Sequence, residues 1–303
     1  MDDAKKIIYE LGQAGYRAAF LPFDAIEKIS AVYEGMNDAN ETPAFAKNAA
    51  AHFKGSQPPD ISFEPLSFLV AVCRSDPGLL VVNAGGKRTA IPVPPLYIDQ
   101  DGCHGRLSEA LEKIMGEYKT AHTKGISQKL LAVMGGLGRY GKNNIFYAEA
   151  LGSGAALAAY YTNVPCRGET HPVKFLDECE ACGDCKKKCP VGAISNYPVI
   201  NAGLCLNKYV YNLDPIPEDI PLSVFNALIG CWACQTKCPA NFFARKPEEN
   251  VLELDDAESS ALLAWREPLP AELKLKLSDF FKNDHLLSVA GRNAALVCGV
   301  YER

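Results

Sequence analysis

The side chains best placed to do chemistry in this 303-residue chain are its cysteines. Twelve are present. Eight crowd into one stretch: Cys179-x2-Cys182-x2-Cys185-x3-Cys189-Pro190, a lone Cys205, and Cys231-x2-Cys234-x3-Cys238-Pro239. Eight thiolates are what two [4Fe–4S] clusters require, at four sulfurs each. In such a run the three cysteines of C-x2-C-x2-C hold one cluster and the fourth, before proline, ligates the other. The pattern predicts one cluster on Cys179, Cys182, Cys185 and Cys238, and a second on Cys189, Cys205, Cys231 and Cys234. Zinc is satisfied by two C-x2-C pairs and has no use for the further thiols. Disulfides are rare in a reducing compartment, and Met1-Asp2-Asp3-Ala4-Lys5 shows no secretory or twin-arginine pattern. The expectation is a cytoplasmic redox protein whose metal sites pass single electrons.

Lys186, Lys187 and Lys188 lie inside the first run. They read as a solvated charged turn, or as positive charge that offsets the clusters or steers an acidic electron donor. Cys73 and Cys298 sit in apolar runs and read as small core residues, whereas Cys103 and Cys166 lie beside glycine or proline in expected loops. The other conspicuous segment is Gly135-Gly136-Leu137-Gly138-Arg139-Tyr140-Gly141-Lys142-Asn143. Gly136-x-Gly138-x-x-Gly141 matches the dinucleotide fingerprint, but a helical pattern precedes it and no suitably spaced acid follows. A phosphate loop needs Ser or Thr after its lysine, where this chain has Asn143. The glycines are expected instead to let the backbone approach a large ligand closely.

These groups need a scaffold. With 48% hydrophobic and 22% charged residues, the composition is that of a globular protein. The chain is long enough for one domain of about 160–170 residues and a smaller metal-bearing unit. No apolar run approaches the roughly 20 residues of a membrane helix. A net charge of −5 provides no basic field for nucleic acid. Periodicity predicts helices over 3–15, 24–36, 106–120, 128–134, 277–287 and 289–300. Strands are expected at 68–72, 79–83 and 152–162, the first two joined by the turn Ser75-Asp76-Pro77-Gly78. The polar stretch 37–57 is helix or loop. The cysteine segment spans 173–247.

The loop Gly135 to Asn143 resembles the "AGLGWIGK" loop of the epoxyqueuosine reductases, cobalamin-dependent iron–sulfur proteins related to reductive dehalogenases. The segment from Gly152 to Pro165 is similar to the strand that follows it there, ending in a "TDLP"-like turn. The double cysteine run, with isolated Cys205, matches that family in order and spacing. Arg292-Asn293-Ala294-Ala295 resembles its helix after the clusters, and Tyr97 to His104 is distantly similar to a "GRDYH" stretch. The likeness spans roughly residues 65–300. It implies an α+β fold, a nitroreductase-like α/β core with a ferredoxin-like double [4Fe–4S] module. Three parts follow: a cobalamin-binding core at 1–170, the cluster module at 171–250, and C-terminal helices at 251–303 packing on the core.

The resemblance further implies cobalamin between core and clusters with no protein histidine on cobalt. Consistent with that, the chain has no Asp-x-His-x-x-Gly. Electrons would pass from a low-potential donor of ferredoxin or flavodoxin type through both clusters to cob(I)alamin and on to a substrate. Gly138, Gly141 and Lys142 would contact the corrin, with Tyr140 and His104 as further pocket residues. The family's proton-donating acid, in a "VDTGP"-like stretch, aligns with His122, and a histidine can donate a proton near neutral pH. Many epoxyqueuosine reductases carry later helical repeats that help hold tRNA. This chain stops at Arg303, where those would begin, so a small-molecule or modified-nucleoside substrate is expected ahead of tRNA. Two rivals are a ferredoxin-like electron carrier and an activator that reduces another protein's corrinoid.

Overall fold

The computed structural model describes residues 2–38, 60–98, 100–123, 125–194, 200–241 and 246–302, so most of the polar stretch 37–57 lies outside the described residues. Its centre is a four-stranded antiparallel sheet built from β1 (Arg17–Pro22), β2 (Ser67–Arg74), β5 (Thr120–His122) and β8 (Ala155–Thr162), in the order β1-β2-β8-β5. The middle strands read Ser-Phe-Leu-Val-Ala-Val-Cys-Arg and Ala-Ala-Leu-Ala-Ala-Tyr-Tyr-Thr, apolar at nearly every position, because both of their faces are covered. Side chains alternate across the pleat. Phe68, Val70, Val72, Ala159 and Tyr161 therefore enter one core. Leu69, Ala71, Cys73, Ala158 and Tyr160 enter another on the opposite face.

Each face has its own helices. α1 (Asp3–Gln13), capped by Asp2, and α3 (Gln100–Ile114) cover the second face. α4 (Gln128–Met134) covers the first with Leu130, Leu131 and Val133. Ser127 begins α4 by accepting the Leu130 N–H at 3.2 Å, satisfying an otherwise unpaired donor. Gly136, at φ +73, ends its turn. The chain then forms a two-stranded ribbon, β6 (Gly138–Tyr140) against β7 (Phe146–Ala148). α2 (Ala25–Asp38) follows β1.

A second sheet, in the order β4-β3-β9, joins the hairpin of β3 (Gly78–Ala84) and β4 (Lys87–Val93) to β9 (Val251–Glu253), which returns parallel to β3 after the cysteine segment. Arg88 clasps Glu253 at 3.0 and 3.2 Å across this seam. Three helices, α7 (Asp256–Leu263), α8 (Ala271–Phe281) and α9 (Asp284–Cys298), pack here. Leu80, Val82, Ile91, Leu277, Phe281 and Val289 share one core with Leu228 and Ile229 of the cysteine segment. The C-terminal helices expected on the core thus cover the second sheet and the cysteine segment.

Several boundaries differ from expectation, for local reasons. The helix placed at 106–120 runs from 100 to 114 and stops before Gly116 at φ +60. Cys103 consequently sits buried inside it, not in a loop. The helices placed at 277–287 and 289–300 break earlier, because Lys282 turns left-handed at φ +46 and Asn283 caps α9 by accepting the Leu286 N–H at 2.9 Å. β1, β4 and the three-residue strands lie outside the strands that the sequence predicts.

Candidate metal centres and the adjoining cavity

Among its described residues the cysteine segment is mostly turns and one-turn helices, which is what lets closely spaced thiols converge. A short 3₁₀ turn carries Cys179, Gly183 at φ +83 starts the one-turn helix α5 (Asp184–Lys188), and Cys205 lies two residues before α6 (Asn207–Tyr211). Cys179, Cys182, Cys185 and Cys238 line one cleft. Cys189, Cys205, Cys231 and Cys234 line a second of about 200 Å³. These are the two sets that the spacing predicts.

The donor chemistry suits iron–sulfur clusters. Burial, then the neighbouring Cys231 and Cys205, push the Cys234 thiol up to about 12. Burial, then Cys179, Cys238 and Cys182, raise Cys185. Both thiols are raised chiefly by burial and by members of their own set, and a bound metal would hold such crowded groups as thiolates. Amide donors already point at the sulfurs: the Ala193 N–H on Cys189 Sγ at 3.2 Å and Asn226 Nδ2 on Cys231 Sγ at 3.2 Å. Among the described residues no three Cys, His, Asp or Glu side chains converge on a single-ion site.

The turn from Gly141 to Ile145 stands between the two clefts. Asn143 is buried and lines both. Its Nδ2 donates to the Tyr147 hydroxyl at 2.7 Å and to the Cys234 carbonyl at 3.1 Å. Burial and Cys238, to which it hydrogen-bonds, raise the Tyr147 hydroxyl. Asn241 staples the cysteine segment to the turn before β8, its Oδ1 accepting the Ser153 N–H at 2.7 Å and its Nδ2 donating to Ser153 Oγ at 2.9 Å.

A cavity of about 670 Å³ runs along Gly135 to Arg139 and is closed on the other side by Leu176, Pro239 and Ala240 of the cysteine segment. The last three also line the first thiol cleft, so cavity and cleft share a wall. Tyr147, the basic Arg17, His171 and Lys174, and the acidic Glu149, Asp177 and Glu178 also line it. Arg139 bonds Asp177 at 2.5 Å and Arg17 approaches Glu149 at 3.8 Å.

The structure redistributes the residues expected to meet a corrin. A Cβ on Gly138 would lie 2.3 Å from the Tyr147 carbonyl and 2.5 Å from Phe146 Cζ. One on Gly141 would lie 2.6 Å from Asn143 Oδ1 and 2.7 Å from Tyr147 Cε2. Both glycines are required by the ribbon's own packing, not by a ligand's approach. Gly138 still borders the cavity with its backbone, whereas Gly141 and Lys142 border the first thiol cleft. Lys142 Nζ reaches the Glu180 carbonyl at 3.4 Å and its backbone N–H serves Cys179. Tyr140 packs in the first core, bonding the Lys174 carbonyl at 3.0 Å through its backbone N–H.

His122 and His104 are separated from the glycine loop. The His122 ring stacks 4.3 Å from Tyr160 on the second sheet face, beside α3. His104 Nε2 lies 3.2 Å from the Leu157 carbonyl. Burial, then His104, hold the His122 imidazole below its ordinary value. The glycine loop lies on the other face, because β5 and β8 pair His122 with Tyr160, whose side chain points away from α4. Only strand register separates them, and the alignment of loops carries no register.

Sequence reasoning missed Asn143, Tyr147, His171 and Lys129. Lys129, on α4, donates to the Asn144 carbonyl at 2.9 Å, lies 5.9 Å from the Tyr140 ring and faces the second thiol cleft. Burial lowers its ammonium to about 8, so it remains mostly charged at neutral pH. A lone lysine in an apolar helix carries no sign of which neighbour it will meet.

Two four-thiol clefts beside a cavity define a double-cluster redox module, and residues 178–241 match the family described as a 4Fe-4S double cluster binding domain. Solved structures give the wider likeness. Epoxyqueuosine reductase from Bacillus subtilis, with its catalytic loop swung out of the active site, superposes with a TM-score of 0.62 at 18% identity, covering 98% of this chain and 81% of that one. An epoxyqueuosine reductase with a tRNA-Tyr epoxyqueuosine-modified stem loop gives 0.61 at 18%, covering 98% and 80%. The Streptococcus thermophilus enzyme gives 0.58 at 17%, covering 98% and 80%. At these identities the likeness is one of fold. No curated protein sequence matches the chain. Among the described residues no helix is long and apolar enough to cross a membrane.

Proposed function

We propose that this chain is a cobalamin-dependent reductase with two [4Fe–4S] clusters, acting on a small-molecule or modified-nucleoside substrate. The observation that carries this is the shared wall of Leu176, Pro239 and Ala240 between the first thiol cleft and the cavity along the glycine loop. The wall leaves a short gap between the first cluster and a bound molecule. The lining suits a corrin in part: Arg17, His171 and Lys174 offer donors to its amide-rich rim, and Gly135 to Gly138 present backbone. Cobalamin, when bound, supplies a strongly reducing cobalt centre. The protein's part is to hold it beside the first cluster, with Tyr147 linking cavity wall to Cys238. The second set is the outer station, reached by a low-potential donor of ferredoxin or flavodoxin type. The fold shared with a tRNA-bound epoxyqueuosine reductase makes a modified nucleoside the first substrate to assay.

Anaerobic purification with iron, sulfide and corrinoid analysis tests this. Two clusters and a corrin retained on gel filtration are expected. Two clusters without corrin retention, in reduced and oxidised states alike, would favour an electron carrier, and turnover of a separate corrinoid protein would favour an activator. Zinc in place of iron would end the proposal.

A further inference from the structure

The two thiol clefts differ in the charge of their walls. The second has Lys129 and no Asp or Glu among the described residues that line it. The first is lined by Glu178 and Asp184 as well as Lys142. Reduction adds one negative charge to a cluster. A nearby ammonium favours that state, and nearby carboxylates oppose it. The Lys129 charge is effective because the side chain is anchored: Asn144 accepts from it at 2.9 Å, and the residue is half-buried in the wall of the cleft. Lys186, Lys187 and Lys188 do not create the same difference, because they are exposed and lie between Cys185 of the first set and Cys189 of the second; exposed Glu178 and half-exposed Asp184, which lies 4.0 Å from Lys187, are screened in the same way, so the contrast rests on Lys129.

We propose that Lys129 is a positioning charge that holds the second cluster's reduction potential above that of the first. This rests on the two-cluster reading above. It makes the outer cluster the readier electron acceptor and the cluster beside the cavity the stronger reductant, so a substrate bound there meets the more reducing centre. The step is a one-electron exchange, with the second cluster reduced by the external donor and oxidised as the first is reduced.

The test is an electron paramagnetic resonance titration of the anaerobically purified full chain. Cys205→Ala, which lacks a ligand of the second set, assigns the signals. Wild type should show two midpoints, with the second cluster higher. Lys129→Met should lower that midpoint and leave the first in place, while Lys129→Arg should keep both near wild type. Lys129→Gln, which retains a donor for Asn144, repeats the charge removal without opening an apolar gap. Two loaded clusters whose midpoints are unmoved in both neutral variants, or move equally, would overturn the inference. A wild-type chain that binds no iron would instead defeat the two-cluster reading itself.

Discussion

Replacing Arg292 with Met should release the second cluster selectively. Arg292, on α9, is 4% exposed and donates to the Tyr209 carbonyl at 2.7 Å and the Asp214 carbonyl at 2.8 Å. Next to it Asn293 donates to the Val210 carbonyl at 2.9 Å. These bonds clamp α6, which begins two residues after Cys205. A hydrogen bond from a charged group contributes about 1.5–3 kcal/mol, so two contribute about 3–6. Methionine keeps the aliphatic packing and removes a buried charge, whose desolvation cost offsets part of the loss. A net cost of about 3 kcal/mol, at tenfold per 1.4 kcal/mol, makes opening of the Cys205 turn roughly a hundredfold more frequent. The assay is anaerobic iron release to a chelator, followed by absorbance. Wild type should lose iron slowly from both clusters. Arg292→Met should lose half of it roughly a hundredfold faster, and Arg292→Lys, able to keep one bond, should fall between. Unchanged release from a natively folded Arg292→Met chain would refute the clamp.

Gly138→Ala should cost about 1–3 kcal/mol in urea unfolding, because its Cβ meets backbone that cannot yield. Gly12→Ala in α1, with nothing within 4 Å, should gain about 0.5–1 kcal/mol, and equal effects at both sites would remove the packing argument. His122→Phe should leave turnover and cofactor spectra intact, since the imidazole faces away from the glycine loop; lost turnover with intact spectra would reinstate it as the proton donor. The Arg88 and Asn83 partners hold the Glu253 carboxyl down at about 2. A depressed carboxyl stabilises the fold fully above its free value of about 4.3, and that contribution fades as pH falls from there towards the folded value. Glu253→Gln should therefore unfold more readily than wild type at neutral pH, with the difference shrinking in acid; a constant difference would show that the pair does not contribute.

What could be read from the chain alone were features that depend on neighbours in sequence. Cys179, Cys182 and Cys185 must face a common centre because so few residues separate them, and each Cys-Pro step hands its thiol to the other set. Gln128 to Met134 follows from helical periodicity, and the central strands from unbroken apolar runs. Tertiary structure decided what depends on which surfaces meet. The sheet's pleat set His122 and the glycine loop on opposite faces, a consequence of one residue of register. The ribbon's return brought Phe146 and Tyr147 over Gly138 and Gly141, so that glycines suggesting a ligand answer to the protein's own atoms. The turn after Gly141 met Lys129 of α4 through Asn144, and so brought this lysine into the wall of the second thiol cleft, though about 60 residues or more lie between it and any of those cysteines in the chain.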